Sequence, residues 1–215
     1  MGHMRSIGFG VSLALSLLFV PLLAVADEAW ESVPVKGDNR EGIVVEKRAV
    51  PNSKFMEYRA RATTPVSPEV VLRGIWTGLT EPPQGTVRKR QLIRQSETEV
   101  VVYDQVKTPV VSDRDYTMRI YQAKDEKSGV LQVRFETAND LGPPAAAGFV
   151  RIPLVRGSWR IEPGDGGGAK LTYQCYSEPG GSIPAFMVRG AQQNQVVTDM
   201  RRILDRAQRT AGAAK

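Results

Sequence analysis

The 215-residue chain contains one histidine, His3, and one cysteine, Cys175. Each scarcity closes a class of chemistry. With no histidine beyond the first few residues, a Ser-His-Asp triad, a Cys-His dyad and a histidine-ligated metal site are all out of reach. A lone cysteine permits neither an intramolecular disulfide nor a multi-cysteine zinc site. Most common hydrolase and metalloenzyme mechanisms are therefore excluded, and neither a cofactor nor a metal is expected.

Charge is also missing from one long stretch. Between Ser6 and Ala26 no residue is charged, and only Arg5 precedes it. The apolar run Ile7–Val20 is broken by Pro21, and Ala24-Val25-Ala26 supplies the small-x-small pattern of a cleavage site before Asp27. Residues 1–26 thus read as a secretory signal peptide and 27–215 as one domain, periplasmic or secreted. An uncleaved membrane anchor is the alternative, because the uncharged span is long enough to cross a bilayer. Loss of residues 1–26 removes Arg5 and no acid, so the net charge falls from +6 to +5. The bases are scattered among acids, and an exported protein meets little DNA or RNA, so no nucleic-acid partner is expected. Two concentrations stand out: Arg88-Lys89-Arg90 with Arg94, and Arg201-Arg202 with Arg206 and Arg209. They read either as solvated faces or as sites of attraction to an anionic membrane surface.

With 41% apolar and 24% charged residues, the remainder has the composition of a folded domain. Strand-like runs fall at 43–50, 55–64, 86–95, 98–108, 115–124, 129–137, 149–154, 157–162 and 169–177, separated by turn residues. A helix is expected from Ser67 as N-cap through Pro68 and Glu69 to about Gly78. The last element differs in kind. Val196, Val197, Met200, Ile203, Leu204 and Ala207 form one helical stripe, and Arg201, Arg202, Asp205, Arg206 and Arg209 lie off it. A long amphipathic helix after a run of antiparallel strands must bury that stripe, and the concave face of a curved sheet is the natural place. A sheet curved around a helix leaves space between them.

Several segments resemble the StAR-related lipid-transfer (START) domain, in order and in spacing. Trp30-Glu31-Ser32-Val33-Pro34-Val35 with Gly42-Ile43-Val44-Val45 looks like that family's opening. Pro109-Val110-Val111-Ser112-Asp113-Arg114-Asp115-Tyr116 resembles its most recognisable motif. Leu141–Arg151 resembles its Pro-containing loop and following strand, and Gly157-Ser158-Trp159 a Gly-x-Trp strand start. Glu178-Pro179-Gly180-Gly181-Ser182-Ile183-Pro184 is similar to the Asp-Pro-Gly-Gly-x-Ile-Pro approach to the final helix, with Glu178 where Asp is usual. The likeness covers about residues 30–210.

The resemblance implies an α+β helix-grip fold: a curved antiparallel sheet of about nine strands wrapped around a long C-terminal helix, with a hydrophobic tunnel between them. It implies non-enzymatic carriage of one lipid (sterol, polycycle, fatty acid or phospholipid). The physics is consistent, since a lipid with ~20 buried carbons loses about 16 kcal/mol on entering water at ~0.8 kcal/mol per CH₂. An oily tunnel cancels that cost without any reacting group.

Period-two alternation nominates the lining. Tyr116, Met118 and Ile120 share one face, as do Leu131, Val133 and Phe135, Trp159 with Ile161, and Tyr173 with Leu171 and Cys175. In 98–108 both faces are apolar, and the resemblance favours Val101 and Tyr103 inward. Phe186, Val197, Met200 and Leu204 are the helix contribution. For each of these residues plain core packing is the competing reading. Sterol-binding relatives place an acid and an arginine in the tunnel, and an ungapped count puts those positions at Val101 and Ile120. The expectation is a tunnel without a charged pair, with Tyr103, Tyr116 and Tyr173 as hydrogen-bond donors; a one-residue slip would bring Arg119 inside instead. Arg114 is expected to pair with Asp113, Asp115 or another carboxylate and to fix the loop before the strand. The C-terminal helix and the loop 141–148 are expected to form a lid that opens when the Arg201–Arg209 face docks on membrane. A polyketide cyclase or aromatase of the same superfamily, and an accessory domain with an occluded cavity, are the alternatives.

Overall fold

The computed structural model describes residues 29–83, 85–108 and 111–213, so the predicted signal peptide lies outside the described residues. Ten strands form one sheet: β1 (Glu31–Val33), β2 (Val44–Ala49), β3 (Met56–Thr64), β4 (Val87–Gln95), β5 (Glu99–Val106), β6 (Arg114–Lys124), β7 (Leu131–Thr137), β8 (Val150–Arg151), β9 (Leu154–Pro163) and β10 (Ala169–Glu178). Two helices, α1 (Pro68–Thr80) and α2 (Ala185–Ala213), complete it. The order is β1-β2-β3-β10-β9-β7-β6-β5-β4, antiparallel throughout, and β8 adds to β6 in parallel. This is the curved open sheet and long terminal helix expected. Two details differ. Glu31–Val33 adds a short edge strand, and the run 149–154 contributes only two residues as β8 while Leu154 joins β9.

Helix α1 starts where Ser67 and Pro68 place it. The N-cap works through its backbone, Val71 N–H donating to Ser67 O at 3.1 Å, rather than through its hydroxyl. The stripe Val196, Val197, Met200, Ile203, Leu204 and Ala207 is buried, and Met200 and Ala207 are fully so. It packs with Ile43, Val45, Tyr58 and Ala60 of the β2–β3 region and with Leu171 and Tyr173 of β10. Gly74 and Gly78 let α1 lie close under α2: a Cβ at Gly78 would sit 1.5 Å from Arg206 Nη1.

The first eleven residues of α2 precede the stripe. Phe186 lies there, 75% exposed, so its nomination as a lining residue is corrected: it shares the helical phase of Val197 and Leu204, but this first part of α2 precedes the contact with the sheet.

On the outer face of the sheet, Asp115 is a fully buried hub. It accepts from Arg151 Nε at 2.8 Å, Tyr103 O–H at 2.8 Å and Ala146 N–H at 2.7 Å. Burial pushes its carboxyl up, but these donors, Arg151 foremost, hold it below the ordinary aspartate value. Arg151 also donates to Pro143 O at 3.0 Å. The loop 142–149 is thereby tied to the outer face through Pro143 and Ala146. Asp115 belongs to Arg151 and not to Arg114, which corrects the expected pairing.

Two truncations test this arrangement. Met200→Ala, in the fully packed stripe, is expected to cost about 2–5 kcal/mol in chemical denaturation. Phe186→Ala is expected to stay within about 0.5 kcal/mol, and a larger loss would mean that Phe186 packs against the domain.

Candidate functional site

Between the sheet, α1 and α2 lies a cavity of about 390 Å³. That is within the ~300–1,000 Å³ range of small-molecule sites. Its apolar wall comes from the inward faces of β6, β7 and β9, with Met118, Ile120, Val133, Phe135, Val155 and Trp159. Gly157 shapes this wall. A Cβ there would fall 2.4 Å from Phe135 Cζ, so only glycine allows the ring to lie across β9. Trp159 stacks on Tyr173 with ring centroids 4.1 Å apart, and Phe135 tilts against Tyr173 at 6.1 Å.

Eight nominated residues line the cavity: Tyr116, Met118, Ile120, Val133, Phe135, Trp159, Tyr173 and Cys175. Leu131, Val197, Met200 and Leu204 are buried but lie in the solid core beside it. Val101 and Tyr103 are buried on the opposite face, which corrects their placement. The reason is register. Val100, Val102 and Asp104 pair with Ile120, Met118 and Tyr116, whose side chains point in, so the even residues of β5 must point in too. Val101 instead lies between Arg94 and Arg119, which share Glu99 at 2.7 and 2.5 Å. Arg119 therefore faces outward.

Consequently a charged side chain, Arg90, does line the cavity, contrary to expectation, with its acidic partner buried in the wall behind it. Arg90 on β4 sits opposite Asp104 on β5. Its Nε and Nη2 donate to the two carboxylate oxygens at 2.7 and 2.6 Å, with Asp104 fully buried. Burial alone would lower the Arg90 pKa, but the bidentate partner outweighs it and raises it above the ordinary value. The spare Nη1 points toward the carbonyls of Gly78 and Leu79, each 3.5 Å away, at the end of α1. Tyr116 stands beside the pair, its hydroxyl held protonated by burial and by Asp104.

A second polar group enters from α2. Asp199 accepts from Arg202 Nη1 and Gln195 Nε2, both at 2.9 Å, and from Tyr173 O–H at 3.3 Å. Burial nevertheless keeps its carboxyl above the ordinary value. Cys175, on the same wall, is pushed up to about 12 by burial and remains a thiol. Among the described residues no three His, Cys, Asp or Glu side chains gather as a metal-binding group.

The exposed lining residues Pro82, Thr86 and Gln195 mark where the cavity reaches the surface, between the α1–β4 turn and α2. Arg206 crosses this rim to Glu81 at 2.8 Å. The basic face of α2 is therefore mostly neutralised, since Arg201 meets Glu41 at 3.4 Å and Arg202 meets Asp199 at 2.9 Å. Arg88 and Lys89, at the start of β4, are exposed beside the rim.

Arg90, Asp104 and Asp199 were missed by sequence reasoning. Arg88-Lys89-Arg90 reads as a surface cluster, yet its alternate member points in. The usable signal was Asp104, two residues from Val102 on the same face: an acid facing inward demands a cross-strand base.

The START domain sequence pattern matches residues 11–211, nearly the whole chain. The chain belongs to the START domain family. A 24% identical StAR-related lipid transfer protein from Xanthomonas axonopodis superposes with a TM-score of 0.70 over 83% of this chain and 98% of that one. An uncharacterized protein of Pseudomonas aeruginosa is 25% identical over 182 residues, 81% of this chain and 87% of its own length. Human phosphatidylcholine transfer protein is 31% identical over 103 residues, which is 46% of this chain and 47% of the human protein. The fold is also that of the Zhui aromatase/cyclase of a Streptomyces species, 15% identical with a TM-score of 0.53, over 74% of this START domain and 96% of the cyclase.

Two measurements check the polar groups. Asp104→Asn leaves Arg90 buried and unpaired, and is expected to cost about 3–5 kcal/mol in urea denaturation, most of it recovered in Arg90→Met/Asp104→Leu. Asp199 holds its proton to higher pH when folded than when unfolded. The wild type should therefore lose stability relative to Asp199→Asn as pH rises above about 4. Thermal melts should show the Tm gap widening in favour of the variant toward neutral pH; a narrowing gap contradicts the assignment.

Proposed function

We propose that this START domain carries one hydrophobic molecule with a single polar group, without reacting on it, and exchanges it through the gap between the α1–β4 turn and α2. The observation that carries this reading is the hollow itself: an aromatic and aliphatic wall on one side and Arg90, paired with the buried Asp104, on the other. A carbon chain or fused ring on the apolar wall is shielded from water. A hydroxyl, carbonyl or carboxylate at the far end meets donors and acceptors already satisfied by each other, so the empty cavity leaves no stranded charge. Tyr116 adds a protonated hydroxyl there.

Exchange requires the rim to open. At the rim end the α1–α2 contact carries glycine at Gly74 and Gly78 and the Arg206–Glu81 bridge, while Val71 and Ile75 anchor it to the buried stripe of α2. Exposed Arg88 and Lys89 beside the rim suit an anionic membrane surface better than the paired arginines of α2 do. We also propose that residues 1–26 direct export and are removed.

A cyclase-like enzyme is the second reading, favoured by the tyrosines and paired charges facing the cavity. Native mass spectrometry of the protein from its source organism tests these points together. The expected mass is that of a chain starting at Asp27 plus one lipid, with the lipid released unchanged on denaturation. Met118→Trp, which narrows the cavity, should lose the lipid while keeping the fold. A bound molecule converted to a cyclised product, and left unconverted in Tyr116→Phe, would establish the enzyme instead.

A further inference from the structure

A second depression, of about 450 Å³, lies apart from the cavity where the start of β6 meets the loop leading into α2. Ser112, Arg114, Gly181 and Ser182 are among its lining residues. Arg114 is only 4% exposed. Its Nε donates to Pro179 O at 3.4 Å and its Nη1 to Ser112 O, while Nη2 has no hydrogen-bond partner among the described residues. The nearby acids make their hydrogen bonds to other groups, although the charge of Asp113 still attracts Arg114. Asp115 serves Arg151, Tyr103 and Ala146, and Asp113 Oδ1 accepts the Thr108 N–H at 3.0 Å. No carboxylate in the described residues makes a direct ion pair with Arg114, so its buried charge is met by the longer-range attraction of Asp113 rather than by contact. A guanidinium stays protonated at any physiological pH, and leaving one buried and unpaired is costly.

The polar groups around it are donors, set among the aliphatic side chains of Val111, Val150 and Ile183. The hydroxyls of Ser112 and Ser182 border the depression, and the N–H groups of Gly181 and Ser182 donate to no acceptor among the described residues. Gly180 and Gly181 both have left-handed φ, +69° and +64°, and a Cβ at Gly180 would lie 2.6 Å from Arg151 O. Only glycine lets the chain fold this tightly against β8, and that fold sets Ser182 beside Arg114. Donors from a guanidinium, hydroxyls and backbone amides around an open, carboxylate-free depression match a tetrahedral oxyanion.

We propose that this depression is a phosphate-binding site. The phosphate can come from a lipid headgroup or from solution. Exposed Phe186 and Met187 follow one turn along α2, which makes a membrane source worth testing directly.

The experiment uses the full chain, ¹⁵N-labelled, titrated with inorganic phosphate against chloride at matched ionic strength. Saturable amide shifts at Ser112, Gly181 and Ser182 with phosphate alone are expected; equal or non-saturating shifts in both salts would overturn the site. Ser182→Glu sets a carboxylate at an exposed position and should weaken phosphate binding by roughly tenfold or more. Uptake of a hydrophobic fluorophore by the cavity should be unchanged in that variant, which separates this site from the carrier reading. Unaltered phosphate affinity in Ser182→Glu would also overturn the proposal. Arg114→Gln should abolish binding, and should it not fold, the Ser182→Glu comparison still decides. Sedimentation with phosphatidylglycerol vesicles then identifies the source. Binding that Ser182→Glu weakens and free phosphate competes away supports the site with a headgroup as occupant. Vesicle binding indifferent to both supports it with soluble phosphate as occupant.

Discussion

The structure depends on the seating of one helical stripe. Six residues of α2, from Val196 to Ala207, bury against β3, β10 and α1. That contact occupies only part of the concave face. The strands from β4 to β7 curve away, α1 bridges toward β7 and β9, and the gap that remains is the cavity. A hollow in a protein forfeits dispersion contacts that a packed interior would have, and it persists only where the surrounding frame is held by something else. Here the frame is the continuous antiparallel ladder on one side and the α1–α2 contact on the other.

The polar groups inside that hollow are arranged so that each is satisfied without a guest. Arg90 and Asp104 hold each other in a bidentate pair, and Asp199 is met by Gln195, Arg202 and Tyr173. This self-sufficiency suits a carrier, which must survive empty between loading and release. The same logic places strength and looseness. The 142–149 loop is bound tightly to the outer face through Asp115, whereas the rim near Pro82 and Arg206 is joined by small residues and one ion pair.

Much of this was legible in the sequence. Strand and helix positions followed from alternation, turn residues and the stripe, and the inward residues of β6, β7, β9 and β10 were read correctly because each of those strands has one apolar and one polar face. β5 was not legible. Val100, Val101, Val102 and Tyr103 are apolar on both faces because both faces are covered, one by the core and one by the outer network around Glu99 and Asp115. Without alternation, a strand's orientation is fixed only by its neighbours.

What the sequence determined by itself was therefore the set of elements, their order and the family, since these rest on local periodicity and motif spacing within single segments. What only the tertiary structure decided was the chemistry of the hollow and the partner of each buried charge. Arg90 became an interior residue, Asp115 went to Arg151 instead of Arg114, and Phe186 was left in water. Each outcome depends on cross-strand register and on where α2 begins to touch the sheet, relations between segments distant in the chain that no single stretch of residues encodes.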